Sequence, residues 1–147
     1  FETVRLTRAA LEAHAPRVAL IGFAGSPWTV AAYMVEGHGS RDFAAARGMA
    51  YADPATFGRL IRTLVDATTD YLLAQIEAGA EAVMLFDSWA GMLPPAQFRR
   101  WVIEPSAAIV RNVKRLHPSI PVIGFPRLAG PLIGEYAVRT GVNTVAM

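Results

Sequence analysis

Short apolar runs alternate with longer helical stretches along this chain, and this alternation limits the possible folds more than any other feature. Four runs are apolar throughout and predict buried strands: Val18–Phe23, Ala82–Asp87, Ile120–Phe125 and Asn143–Met147. Uniformly apolar strands, rather than alternating ones, are typical of a sheet that is covered on both faces. Strands separated by helices pair in parallel through right-handed crossovers. We therefore expect an α/β fold with a parallel sheet.

The helical stretches between these runs carry recognisable start and stop signals. Asp53 followed by Pro54 predicts a helix start, because Asp is a good N-cap and Pro is favoured at the first helical position. Apolar residues then keep a 3.6-residue period up to Gly79, which predicts the stop. A further helix is predicted from about Pro105 to Leu116. No linker divides the chain, so we interpret residues 1–147 as a single unit, with βα repeats that form part of a (β/α)8 TIM barrel.

Composition excludes several classes of function. The 14 Lys and Arg residues are scattered along the chain and form no basic stripe, which argues against a nucleic-acid partner. The absence of Cys excludes disulfides and thiolate metal sites, and it fits a reducing cytoplasm. The three His residues lie far apart in the sequence, so they predict no metal site. No apolar run approaches the roughly 20 residues of a membrane span, and no export signal is visible at the start.

Common catalytic motifs are missing from the chain. No P-loop or Gly-x-Ser-x-Gly elbow occurs, and Pro27 stands where an elbow built on Ser26 would need a free N–H. We interpret Ser26 as the N-cap of a helix that begins at Pro27. The chemistry is instead expected at the carboxyl ends of the strands, where ligands bind in parallel α/β folds.

Three predicted strands carry Phe at or next to their carboxyl end, at Phe23, Phe86 and Phe125, and Gly follows each Phe within five residues. The Phe residues either close a core layer or form the floor of an aromatic pocket, and the sequence alone leaves both interpretations open. Asp87, Ser88 and Arg127 follow strands directly and are the candidate polar groups of such a pocket.

These strand-end segments also carry a family resemblance. The run Gly-Phe-Ala-Gly-Ser-Pro-Trp-Thr-Val-Ala-Ala-Tyr-Met-Val-Glu-Gly, residues 22–37, closely resembles the signature stretch of the uroporphyrinogen decarboxylase family. The segments Leu85–Gly91 and Ile123–Arg127 resemble later strand ends of the same family, in the same order. The resemblance covers essentially the whole chain. It places these residues at roughly the third to sixth strands of the family's barrel.

The resemblance implies both an activity and a set of site residues. The family consists of cytoplasmic enzymes, usually homodimers, that convert uroporphyrinogen III to coproporphyrinogen III by removing carbon dioxide from four acetate groups, with neither cofactor nor metal. Tyr33 matches the family's cleft tyrosine, with a catalytic and substrate-binding role, and Ser88 matches a substrate-contacting residue. Phe23 and Phe86 match the apolar pocket floor, and Asp87 is expected to have a supporting role. The alternative interpretations are a packed helix aromatic for Tyr33 and a turn or cap residue for Ser88, and the resemblance favours the functional roles.

Other hypotheses remain open at this point. The family's amino-terminal Arg-Gln-Ala-Gly-Arg segment, its Asp after the second strand and its carboxyl-terminal His have no match here, which favours a non-catalytic piece of a barrel. A methyltransferase of the same barrel superfamily is a second alternative, although zinc ligation by thiolates would need Cys. A doubly wound domain that binds a small anion is a third. Two open sheet edges further predict that the chain self-associates.

Overall fold

The computed structural model describes all 147 residues and shows four strands separated by helices. Short 3-10 turns cover Ala90–Met92 and Gly130–Leu132, and a π-helical turn covers Arg99–Ile103. In chain order the other elements are α1 (Glu2–His14), β1 (Ile21–Gly25), α2 (Pro27–Glu36), α3 (Ala44–Ala52), α4 (Pro54–Glu77), β2 (Ala82–Asp87), α5 (Pro95–Phe98), α6 (Glu104–Leu116), β3 (Val122–Pro126), α7 (Ile133–Thr140) and β4 (Thr144–Val145).

The four strands form one sheet in the order β1-β2-β3-β4, and every pair is parallel. The register places Ile21 beside Ala82, Val83 beside Val122 and Ile123 beside Thr144. Neighbouring strands in the sheet are also consecutive in sequence, as in a β/α barrel. The predicted α/β class with parallel βα repeats is confirmed.

The strand boundaries differ from the prediction where pairing, rather than apolar composition, decides them. Strand β2 has the predicted bounds, but β1 runs from Ile21 to Gly25 instead of from Val18 to Phe23. Ile21 is the first β1 residue with a partner, because Ala82 opposite it is where β2 begins. Strand β4 is reduced to two residues for the same reason, since only Thr144 and Val145 lie opposite β3.

Helix α4 begins and ends as its sequence signals predict. The Asp53 carboxylate accepts a hydrogen bond from the backbone N–H of Thr56 at 3.0 Å, with Pro54 at the first helical position. The helix ends at Glu77, two residues before Gly79, which has a φ of +112°. The next helix, α6, begins at Glu104, one residue before the predicted start near Pro105, and ends at Leu116 as predicted. A continuous helical path leads from α5 through the π turn into α6, and the π turn ends two residues before Pro105, which has no backbone N–H to donate to the preceding turn.

Helices cover only one face of the sheet, so the prediction that both faces are covered is wrong for these residues. Burial alternates along β2, where Val83 and Leu85 are fully buried and their neighbours are only half-buried. Phe23 on β1 is 61% exposed. We call the uncovered side the open face; the interior of a β/α barrel is lined by the corresponding face of its strands. The buried apolar side chains form a connected core of 26 residues on the helical side.

The outer edge of β1 is partly closed by a side chain. The buried Gln75 of α4 accepts a hydrogen bond from the Phe23 N–H at 3.0 Å and donates one to the Phe23 carbonyl at 2.9 Å. These two bonds satisfy the backbone groups that another strand would otherwise use. The edge is therefore less open than the sequence suggests.

Candidate functional site

Three phenylalanine rings form a row across the open face near the carboxyl ends of the strands. The rings of Phe23 and Phe86 have centroids 5.7 Å apart, and those of Phe86 and Phe125 are 5.6 Å apart. Both contacts are edge-to-face, which is a preferred arrangement for aromatic pairs. The row is an apolar surface that remains accessible, since Phe86 and Phe125 are only half-buried and Phe23 is exposed.

Tyr33 and Ser88 lie at the same end of the sheet, and both adjoin Trp89. Tyr33 lies on α2, is 44% exposed, and packs edge-on against Trp89 with centroids 6.2 Å apart. Its other aromatic contact is Phe43, at 5.5 Å. Ser88 directly follows β2 and precedes Trp89 in the chain. Neither hydroxyl is used in a hydrogen bond within the chain, so both are free to bind a ligand.

Hydrogen bonds join the first turn of α2 to the turn that follows β2. The Trp28 indole N–H donates to the Trp89 carbonyl at 3.0 Å. The Thr29 hydroxyl donates to the Asp87 carboxylate at 2.7 Å and accepts from the Trp89 backbone N–H at 3.3 Å. The Ser26 N–H donates to the Phe86 carbonyl at 2.8 Å. These bonds connect the helix that carries Tyr33 to the turn that carries Ser88.

Asp87 lies on the helical side of the sheet, not on the open face. Its neighbour Phe86 faces the open side, and successive side chains of a strand point to opposite faces. The carboxyl group is fully buried, and burial raises its pKa to about 7 although the Thr29 hydrogen bond acts in the opposite direction. One carboxyl oxygen, Oδ2, has no hydrogen-bond partner in the chain. Burial also raises the pKa of Tyr136 on α7, and the negative charge of Asp87 adds to that rise.

Two other residues singled out in the sequence have structural roles here. The backbone N–H of Arg127 donates to the Asp87 carbonyl at 3.1 Å, and its own carbonyl accepts from the Gly91 N–H at 3.0 Å, while the residue itself is exposed. Ser26 does occupy the N-cap position of α2, but its side chain makes no capping bond and its buried Oγ has no partner. The predicted N-cap position of Ser26 is therefore confirmed, but its hydroxyl contributes no capping hydrogen bond.

The candidate site is an open surface in this chain and not an enclosed cavity. A cavity of about 640 Å³ lies between α4, the π turn and α6, and it is lined by residues such as Arg62 and Trp101. A cavity of about 520 Å³ lies at the carboxyl end of β3, where Phe125 and Arg127 line it.

No group of three or more His, Asp or Glu side chains is arranged to hold a metal ion. No helix combines the length and apolar character needed to cross a bilayer.

An aromatic floor on the inner face of a parallel sheet, with free hydroxyls at the carboxyl ends of the strands, defines a β/α-barrel segment with a ligand site at its usual end. A family model described as "Uroporphyrinogen decarboxylase (URO-D)" matches residues 1–147. The chain belongs to the uroporphyrinogen decarboxylase family, and its four strands are part of that family's barrel.

Curated relatives agree with this assignment over nearly the whole chain. The uroporphyrinogen decarboxylase of Gluconacetobacter diazotrophicus is 60% identical over 99% of this chain and 43% of the relative. The enzymes of the same name from Erythrobacter litoralis and Gluconobacter oxydans are 57% and 59% identical, over 100% and 98% of this chain and 42% and 41% of each relative. The chain thus spans about two fifths of the length of the curated relatives it matches.

Thr29 and Trp89 were not predicted as parts of this site, and Phe125 was predicted only as one of three strand-end Phe residues that could form a pocket floor. Thr29 lies four residues before Tyr33, so both occupy one side of α2, and this spacing was the available signal. Trp89 is adjacent to Ser88, and Phe125 lies beside Phe86 in the strand register. Their contacts join segments about 40 to 60 residues apart, which no local pattern reports.

Proposed function

We propose that this chain forms part of a uroporphyrinogen decarboxylase, which removes carbon dioxide from the four acetate side chains of uroporphyrinogen III and yields coproporphyrinogen III. The observation that carries the proposal is the aromatic row of Phe23, Phe86 and Phe125, with Tyr33 and Ser88 at the same end of the sheet. We also propose a homodimeric, cytoplasmic enzyme, as the family resemblance implies.

The reaction requires a proton and a place for an electron pair. Protonation of a pyrrole carbon makes the ring a cation, and the bond between the acetate methylene and its carboxylate then breaks. Its electron pair forms an exocyclic double bond to the ring, and carbon dioxide leaves. Protonation of the methylene carbon and loss of the ring proton give a methyl group. Each acetate group therefore consumes one proton overall.

The residues present here suit different parts of that reaction. The phenylalanine row offers a flat apolar floor against which the substrate's pyrrole rings can pack. The Tyr33 hydroxyl is a neutral donor that can stabilise charge as it develops on the reacting group. The Ser88 hydroxyl can donate to a peripheral carboxylate of the substrate. The Asp, Arg and His groups that the resemblance implies would come from other parts of the relatives' length.

Steady-state kinetics of a full-length family enzyme that carries these residues test the two assignments. We expect Tyr33→Phe to lower kcat more than it raises KM, because a hydrogen bond made mainly in the transition state contributes to kcat. Ser88→Ala should mainly raise KM, because a contact with a peripheral carboxylate is present in both the ground and transition states.

Matched controls are available within the same segment. Tyr51→Phe changes an exposed tyrosine of α3, and Ser119→Ala changes an exposed serine ahead of β3, at the opposite end of the sheet. Both controls should retain the kcat and KM of the unchanged enzyme. The opposite assignment of effects for Tyr33 and Ser88 would show that their roles are wrong. An unchanged full-length enzyme with no turnover of uroporphyrinogen would instead favour the non-catalytic alternative.

A further inference from the structure

The contact between Asp87 and Thr29 is the only place where a fully buried carboxyl group meets a side-chain hydroxyl in this structure. The Thr29 Oγ1 lies 2.7 Å from Asp87 Oδ1, within the normal range for a hydrogen bond between oxygens. Both side chains are buried, with Thr29 only 6% exposed and Asp87 fully enclosed. Burying a carboxyl group costs free energy, so a buried carboxyl group usually has a role other than filling space.

The direction of these hydrogen bonds fixes the Thr29 hydroxyl. The Trp89 backbone N–H can only donate, so the Thr29 oxygen accepts from it and must point its own proton elsewhere. Asp87 Oδ1 accepts the hydrogen bond that the Thr29 hydroxyl donates, whether the carboxyl group is ionised or carries its proton on Oδ2. Two successive hydrogen bonds therefore run in one direction, from the Trp89 backbone N–H to the Thr29 hydroxyl and from that hydroxyl to Asp87. An Asn at position 87 could also accept this bond, whereas Leu could not.

These hydrogen bonds join the helix that carries Tyr33 to the turn that carries Ser88. Thr29 is one helical turn before Tyr33 on α2, and Asp87 and Trp89 flank Ser88 in the chain. The ring of Tyr33 also packs against Trp89. Any change in the distance between α2 and the turn after β2 would therefore move Tyr33 relative to Ser88.

We propose that Asp87 and Thr29 are positioning residues that hold Tyr33 and Ser88 at a fixed separation, and that they act without touching the substrate. This inference rests on the proposed function, because Tyr33 is the group whose placement matters to the reaction. Misplacement of a catalytic group by about 1 Å can cost up to roughly a hundredfold in rate. We expect a loss of about tenfold in kcat when the contact is removed.

The test uses paired substitutions in a full-length family enzyme that carries this segment. Thr29→Val removes the hydroxyl at nearly constant volume, and Thr29→Ser retains it. Asp87→Leu removes the acceptor, and Asp87→Asn retains it. We expect the first member of each pair to lose about tenfold in kcat and the second to stay within about twofold of the unchanged enzyme. The control is Thr69→Val, since Thr69 is equally buried but donates only to Val65 of its own helix.

A double substitution separates positioning from a general structural role. If Thr29 acts through Tyr33, then Thr29→Val should lower kcat no further once Tyr33→Phe is present. If Thr29 only supports the fold, the two losses should multiply. Multiplied losses, or equal losses in Thr29→Ser and Thr29→Val, would overturn the proposal.

A second measurement does not depend on activity. The Trp89 N–H is bonded to the Thr29 hydroxyl, so its hydrogen exchange should speed up in Thr29→Val and Asp87→Leu but not in Thr69→Val. Unchanged exchange in all variants would show that the contact does not hold the turn, whatever the kinetics. If exchange responds as expected but the unchanged enzyme has no decarboxylase activity, then the contact is real and the proposed function is what fails.

Discussion

The buried carboxyl group of Asp87 should make the folded protein less stable as the pH rises, opposite to the effect of a carboxylate in an ion pair. Burial raises the pKa of this group from 3.8 to about 7, so the folded chain binds its proton more tightly than the unfolded chain does. Between these two pKa values the folded state holds more protons, and the free energy of unfolding therefore falls with increasing pH.

The size of the effect follows from the pKa difference. A shift of one pKa unit corresponds to about 1.4 kcal/mol, so a rise from 3.8 to about 7 amounts to about 4 kcal/mol over the full range. Between about pH 5 and about pH 8, the part that can be measured is about 3 kcal/mol. Asp87→Asn should remove this contribution, because the amide is neutral at both pH values and still accepts from Thr29.

Urea unfolding at these two pH values measures the difference in a full-length family enzyme that carries this segment. We expect the unchanged enzyme to lose about 3 kcal/mol more than Asp87→Asn between about pH 5 and about pH 8. The same substitution at an exposed carboxylate, Asp70→Asn on α4, controls for the loss of one charge. If Asp87→Asn shows the same pH dependence as the unchanged enzyme, then Asp87 is not the buried, proton-holding group described here.

Two further predictions concern packing and assembly. Gly124→Ala would place a Cβ 2.5 Å from the Tyr136 ring, and it should lower the free energy of unfolding in urea by roughly 1–3 kcal/mol. The control is Gly134→Ala on α7, where the added Cβ meets no atom within 4 Å and should not destabilise the protein. Equal effects of the two substitutions would contradict the close packing of Tyr136 against Gly124. The 147-residue polypeptide alone should self-associate through the open face, which exposes Phe23 beside Phe86, and should not decarboxylate uroporphyrinogen. Light scattering after gel filtration and a decarboxylation assay check this, and a monomer with measurable turnover would refute it.

The order and type of most helices and strands can be predicted from the sequence, because the signals that specify them are local. Asp53 and Pro54 specify the start of α4 through one capping bond and one fixed φ angle. The apolar run Ala82–Asp87 specifies β2 to the residue, since it lies in the centre of the sheet and is paired along its length. Parallel pairing follows from the helices between strands, whatever the details of their packing.

Which face of each strand is covered, and which partners the polar groups near the strand ends find, depends on contacts between distant segments. Phe86 and Asp87 are neighbours in the chain, yet one lies on the open face and the other is fully buried beneath the sheet with Thr29 as its partner. That partner lies 58 residues away, so no local pattern could identify it. Burial and long-range hydrogen bonding depend on which segments the sheet brings together. In the sequence, Asp87 is one more polar residue at the end of a strand. In the folded protein, its carboxyl group connects the β2 end to α2 through the hydrogen bond from Thr29.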